Sequence, residues 1–225
     1  ILISSPSDNS WTNQSSSNIK GQVDPTQLDQ FSIVNIQSSI VTNVPYDEIG
    51  FFDFNVGLLE GANRFRLTTT DAFGNSVVKE ITINRDTVKP VVSNLLPNTV
   101  LTYSKPTISY SVQDAGSGNN KSTNNVWLTF KDINNNNLRK DLIVNGVVID
   151  PALNTNLNCV VDSNDSTKQN CSTELISKLL DGNYTLHTQA SDNAGNQSDE
   201  VTSNFTIDTT VYLDVTKPVD NALIT

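Results

Sequence analysis

Residues 70–75 read Thr-Asp-Ala-Phe-Gly-Asn and residues 191–196 read Ser-Asp-Asn-Ala-Gly-Asn. The shared Asp-x-x-Gly-Asn turn runs from Asp71 to Asn75 and returns 121 positions later, from Asp192 to Asn196. The match extends outward on both sides. Gly61, in Leu58-Leu59-Glu60-Gly61, lies ten residues before Asp71, and Gly182, in Leu179-Leu180-Asp181-Gly182, lies ten before Asp192. After the turns come Ile83-Asn84-Arg85-Asp86-Thr87 and Thr206-Ile207-Asp208-Thr209. Each copy therefore holds an acidic-Gly corner, an alternating segment, the turn, a second alternating segment and an Asp-Thr pair. A repeat of this length is the sign of a tandem array.

The alternation has period two. Phe65 and Leu67 fall on one side of 63–69, Arg64 and Arg66 on the other; Ile108, Tyr110 and Val112 alternate, as do Val126, Leu128 and Phe130, then Tyr184, Leu186, Thr188 and Ala190. Strands with one buried face read this way. Turn clusters at 114–118, 134–137, Asn145-Gly146 and Asp181-Gly182 separate them. Many short strands at regular spacing predict an all-β chain of tandem antiparallel β-sandwiches. The repeat divides it into residues 1–88, residues 89–208 and the start of a further repeat at 209–225. That last expectation rests on Ile3-Ser4-Ser5-Pro6-Ser7-Asp8-Asn9-Ser10 matching Val215-Thr216-Lys217-Pro218-Val219-Asp220-Asn221-Ala222, as in a piece of a longer array. One helical exception is expected: apolar spacing in 172–180 predicts a helical turn or two before Gly182.

Composition narrows the function classes. Lysine and arginine total 14 against 24 aspartate and glutamate, a net charge of −10. Nucleic-acid binding needs clustered cations, so it is not expected. No run of eighteen apolar residues occurs, so direct membrane insertion is not expected either. Cys159 and Cys171 are the two cysteines and flank a polar loop. They read as a disulfide and an oxidising compartment; two independent thiols are the alternative. A zinc site needs more such ligands.

At this point a family resemblance is visible. Ser5-Pro6-Ser7-Asp8-Asn9-Ser10 with Lys20-Gly21-Gln22-Val23 and Leu59-Glu60-Gly61-Ala62-Asn63 is similar to domain B of glucodextranase-type enzymes. Asp114-Ala115-Gly116-Ser117-Gly118 with Asp192-Asn193-Ala194-Gly195-Asn196, and the linker Asp86-Thr87-Val88-Lys89-Pro90, resemble bacterial immunoglobulin-like repeats. Leu180-Asp181-Gly182-Asn183-Tyr184 resembles the tyrosine corner of such sandwiches, with Asn63 near that place in the first unit. The resemblance implies immunoglobulin-like modules from a secreted or surface-anchored bacterial protein. The long Cys-bearing insertion of the second unit departs from it.

Asp71 and Asp192 are expected to act as turn makers, accepting from backbone N–H groups while Gly supplies the positive φ. A sharper expectation follows from the sandwich topology. Asp86, Asp114 and Asp192 should converge where the first unit meets the second, and three carboxylates without a basic partner would repel unless a cation joined them. Calcium suits such oxygens. Asp132-Ile133-Asn134-Asn135-Asn136 and Asp162-Ser163-Asn164-Asp165-Ser166 begin like calcium loops but lack the Gly and Glu that those loops need, and read as polar loops.

No catalytic constellation is apparent, and the chain is not expected to be an enzyme. The single histidine, His187, falls on an outer strand face. Trp127 should also look outward, since Val126, Leu128 and Phe130 look inward. Trp127, Thr129, His187 and Gln189 are then expected to share a face suited to a sugar or protein ligand. The alternative is that the 131–175 insertion covers the indole, or that a register one residue off buries it. Trp11 is expected at the core or at an edge. The expected role is a structural spacer or stalk of an adhesin-like protein at the cell surface, contacting adjacent repeats of its own chain. A carbohydrate- or protein-binding module, meeting a host-surface glycan or protein through Trp127 and His187, is the alternative. So is an accessory domain of a secreted polysaccharide-degrading enzyme.

Overall fold

The structure, a computed structural model, describes residues 1–210. The further repeat expected at 209–225 falls, from residue 211 on, outside the described residues. The first unit holds β1 (Leu2–Ser5), β2 (Ser10–Thr12), β3 (Ser16–Gln22), β4 (Leu28–Asn35), β5 (Ile40–Asn43), β6 (Phe51–Gly57), β7 (Gly61–Asp71) and β8 (Ser76–Arg85). They form two sheets, β1-β3-β6 and β2-β8-β7-β4-β5. The second unit holds β9 (Val91–Leu96), β10 (Val100–Leu101), β11 (Thr107–Gln113), β12 (Asn125–Lys131), β13 (Asn137–Val144) and β14 (Val147–Val148). It continues with β15 (Asn158–Val161), β16 (Lys168–Glu174), β17 (Gly182–Gln189) and β18 (Val201–Ile207). Its sheets run β15-β16-β11-β9 and β10-β18-β17-β12-β13-β14. No helix among the described residues is long and apolar enough to cross a membrane.

Each unit has its own apolar core. Ile19, Phe31, Phe52, Phe65, Leu67 and Ile83 pack in the first; Ile108, Tyr110, Leu128, Leu142, Leu186 and Phe205 pack in the second. The alternating residues read from the sequence are the inward ones, because a strand turns every second side chain to the same face.

Both units open with a strand that changes sheets. β1 pairs antiparallel with β3, the chain passes the cis Ser5–Pro6 bond, and β2 then lies parallel to β8. In the second unit β9 pairs with β11, the cis Leu96–Pro97 bond follows, and β10 lies parallel to β18. Trp11 lies on edge strand β2 and is partly exposed, an edge position.

The helical turn expected within 172–180 is absent. Strand β16 runs to Glu174, with Cys171, Thr173 and Leu175 all buried on one side. The alternation of 171–175 thus outweighs the i, i+4 pattern of the leucines. The backbone then stays extended because its N–H groups find carbonyls elsewhere: Leu175 N donates to Pro106 O and Leu179 N to Ser104 O. Ile176 and Leu180 remain exposed.

Candidate interdomain cation site

Strand β8 ends at Arg85, and Asp86 is the first residue of the linker. Asp114 directly follows β11. Asp192 opens the turn between β17 and β18. The fold brings these ends to one place: a carboxylate oxygen from each of Asp86, Asp114 and Asp192 lies within 4.8 Å of the others. All three are buried, at 2%, 5% and 1% exposure.

Backbone turns aim each carboxylate. Asp86 Oδ1 accepts from Val88 N at 3.0 Å and Oδ2 from Ser117 N at 2.6 Å. Asp114 Oδ1 accepts from Gly116 N at 2.7 Å. Asp192 Oδ1 accepts from Asn196 N at 2.8 Å, and its Oδ2 from Asn196 Nδ2 at 2.7 Å. The Asn196 amide also donates to the main-chain Asp86 O at 2.8 Å and Val88 O at 3.2 Å, so the turn grips the linker. Gly116 is required here, since a Cβ at that position would collide with the Asp86 carboxylate.

The electrostatics are unfinished. Asp114 Oδ2 is buried without a hydrogen-bond partner. Burial, and then the charges of Asp86 and Asp192, push the Asp114 carboxyl above its ordinary range. None of the three carboxylates forms an ion pair among the described residues; Lys89, on the same linker, pairs with Asp199 instead. Buried charges of one sign call for a proton or a cation. The donors are all hard oxygens, with neither imidazole nor thiolate, which fits a divalent cation of the calcium or magnesium kind and not zinc.

The turn has a free counterpart at the other end of the first unit. Asp71 Oδ1 accepts from Phe73 N and Asn75 N, both at 2.9 Å, and Oδ2 accepts from Asn75 Nδ2 at 2.8 Å. Phe73 there is 90% exposed, whereas Ala194, its equivalent at the joint, is buried. A further copy of this turn lies in the loop read as merely polar. Asp132 Oδ1 accepts from Asn134 N and Asn136 N and its Oδ2 from Asn136 Nδ2, with Asn135 at φ 66° where the other turns place Gly. Sequence reasoning missed it because Asn stands in for Gly at the left-handed position.

Trp127 and His187 do meet on the outer face of the six-stranded sheet. They are register partners, and their rings stack at 5.1 Å with an interplanar angle of 8°. The indole is nevertheless closed, at 8% exposure, because the Arg139 guanidinium lies 4.5 Å from its ring centre. The open aromatic platform expected there is therefore absent. Arg139 belongs to the 131–175 insertion, so a cation–π lid supplied by that insertion covers the ring. His187 Nδ1 lies 2.7 Å from Glu200 Oε1 and Nε2 lies 2.8 Å from Thr129 Oγ1. A carboxylate, an imidazole and a hydroxyl in line resemble a hydrolytic relay. Thr129, however, sits on a central strand whose backbone is spent on ladders to β13 and β17, not turned toward a developing oxyanion.

The corners are tied as the two sequences suggested. Tyr184 Oη donates to Leu180 O at 2.9 Å. In the first unit buried Asn63 performs the same closure: Leu59 N donates to its Oδ1 at 2.8 Å, and its Nδ2 donates to Leu59 O at 2.8 Å. Cys159 and Cys171 form a disulfide between paired strands β15 and β16.

Strand-swapping first strands, tied corners and two stacked sheets per unit define an immunoglobulin-like class of module. Comparison with known proteins agrees: residues 1–87 match the family described as "Glucodextranase, domain B", and residues 102–209 match that described as "Bacterial Ig-like domain". The first unit is thus similar to glucodextranase domain B and the second to bacterial immunoglobulin-like domains, each match covering one unit of the chain. No curated protein matches the sequence. Similar solved structures include the fibronectin(III)-like modules of Clostridium thermocellum CbhA, at 12% identity over 92% of this chain and 93% of that one, with a TM-score of 0.46. Others are a dimeric latent PorU from Porphyromonas gingivalis, at 12% identity, 92% and 23% coverage and a TM-score of 0.38, and a tetra-tandem repeat from the extending region of a large adhesion protein, at 15%, 90% and 48%, and 0.34.

Proposed function

We propose that the chain is a non-catalytic extracellular spacer whose two modules are locked end to end by a calcium ion held by Asp86, Asp114 and Asp192. The observation that carries the reading is the buried, unpartnered Asp114 Oδ2 among three converging carboxylates. One ligand comes from the linker and two from the second module, so a bound cation fixes the linker to that module. Asn196, gripping Asp86 O and Val88 O, acts in the same sense. The Cys159–Cys171 disulfide supports an oxidising, extracellular setting. In this role the tandem presents an adhesive or catalytic domain of a bacterial surface protein at a set distance.

The test is a calcium titration followed by calorimetry and small-angle scattering. Calcium should bind with one site per chain and narrow the spread of interdomain angles, and Asp114→Asn should abolish both effects. Binding that persists in Asp114→Asn, or a scattering profile indifferent to calcium, overturns the reading.

A second reading has its own observation. On the strand that carries the closed Trp127, Thr129 opens onto a groove of about 1010 Å³ whose lining mixes amides and hydroxyls (Asn137, Asn183, Thr185, Asn204) with the apolar Phe130 and Val100, a combination suited to a glycan. Glycan-array binding lost on Asn204→Ala would favour this binding-module reading, as in an accessory domain of a polysaccharide-degrading enzyme.

A further inference from the structure

The two modules differ at one edge. In the second, β16 is paired on both sides, by β11 and by β15, and the disulfide fastens β15 in place. Its equivalent in the first module is β6, which like β16 pairs with the strand that follows the sheet-switching segment. Strand β6 ends its sheet: among the described residues no strand pairs with its outer side, and only Phe51 is capped there, its O accepting from Asp47 N at 2.9 Å and its N donating to Asp47 Oδ1 at 2.8 Å. The chain between β5 and β6 spans only 44–50, too short to supply the missing strand, whereas the second module uses 149–167.

Beyond Phe51 the edge is undefended. Exposed edges are ordinarily blunted by proline, lysine, bulges or inward-pointing charges. Strand β6, Phe51-Phe52-Asp53-Phe54-Asn55-Val56-Gly57, has neither proline nor lysine, and its register with β3 is unbroken. Its one charge, Asp53, faces outward and is taken by Lys20 at 2.9 Å. Beside the edge a groove of about 460 Å³ opens between β5 and β6, walled by Ile33, Ile40, Phe54, Leu58, Leu59 and Phe65. Ile40 and Leu59 are 65% and 68% exposed, an apolar cost for a groove facing water. Acidic residues flank the strand: Asp47 and Glu48 before it, Glu60 after it.

We infer that the free edge of β6 takes up one extended strand of another polypeptide, antiparallel to β6 as β15 is to β16. Backbone hydrogen bonds supply the affinity, and apolar side chains at alternate positions enter the groove. The flanking acids, in a chain of net charge −10, select a strand with basic ends over a second copy of this chain. The inference is independent of the cation and of the second module.

The probe is a synthetic peptide, Lys-Asn-Leu-Asn-Ser-Val-Val-Lys, which copies 156–161 with serine in place of cysteine and adds a lysine at each end. Amide exchange across the whole chain is measured with and without it. The outward amides of β6 beyond Phe51 should slow at least tenfold, with no change beyond residue 89, and added salt should weaken the effect. Leu59→Lys, at an exposed groove position, should remove the protection; Phe54→Lys should do so more completely if the variant folds. Absence of protection in β6, or protection equal in Leu59→Lys, overturns the inference. So does protection of the same amides by concentration alone, in a dimer seen by sedimentation, since the occupant is then a second copy.

Discussion

The side-chain amide of Asn196 lies 2.8 Å from the main-chain carbonyl of Asp86, joining the last turn of the second module to the residue that leaves the first. The same asparagine holds both oxygens of Asp192. One side chain thus sets the position of a linker and the direction of a carboxylate. The contacts shown at the joint are local turn hydrogen bonds to the linker residues Asp86 and Val88.

Gly116 offers a test that leaves every charge in place. In Gly116→Ala the new methyl displaces the Asp86 carboxylate and breaks its bond from Ser117 N. We expect calcium affinity to fall at least tenfold in calorimetry while the fold of each module, read by circular dichroism, is retained. Unchanged affinity would mean that Asp86 is not a ligand.

The corner ties predict unequal losses. Tyr184→Phe removes one hydrogen bond and should cost about 1 kcal/mol in urea unfolding. Asn63→Ala strands Leu59 N together with the carbonyls of Leu59 and Gly61, all beside a residue 2% exposed. It should cost roughly 2–3 kcal/mol, because a buried group left unpaired loses more than the bond itself contributes. Equal losses would show that the asparagine closure is not the counterpart of the tyrosine.

Alkaline stability is expected to depend on Tyr110. Burial pushes its phenol from the ordinary 10.0 up to about 12, opposed by hydrogen bonds from Asn124 and Thr188. The neutral phenol is the form the fold holds. Its stabilising contribution is therefore full below about pH 10 and is lost as the pH rises toward about 12. The second module should weaken across that window in thermal unfolding. In Tyr110→Phe the decline should be shallower, starting from a stability lowered at neutral pH by the lost Asn124 contact.

Reduction of Cys159–Cys171 should lower the stability of the second module by about 3 kcal/mol, the chain-entropy figure for a short closed loop. Amide exchange should speed first in β15, whose ladder with β16 spans four register pairs, that of the two cysteines included. An unaltered exchange pattern would mean that the ladder alone holds β15.

The sandwich was legible because its signal is periodic: Phe65 and Leu67 of β7, Ile108, Tyr110 and Val112 of β11, Val126 and Leu128 of β12, and Tyr184, Leu186 and Thr188 of β17 are buried and stand two residues apart. The convergence of Asp86, Asp114 and Asp192 was also readable, since the topology dictates which loops share an end. Exposure was not. Whether Trp127 is open depends on Arg139, twelve residues away on the neighbouring strand, and nothing in the local alternation reports what lies above a sheet. The chain at 172–180 misled for a similar reason. Its leucine spacing satisfies both a helix and an extended chain, and the deciding partners, Ser104 O and Pro106 O, are distant in sequence. The sheet switch at Pro6 and Pro97 also left no periodic trace.

Those switching strands bear on what happens under load. β2 lies parallel to β8 and β10 parallel to β18. Tension applied at the two ends of a module drags such neighbours past each other, so their bonds must rupture together and cannot unzip singly. In the proposed spacer role, modules built this way would hold against a sudden pull along the chain, as in flowing liquid.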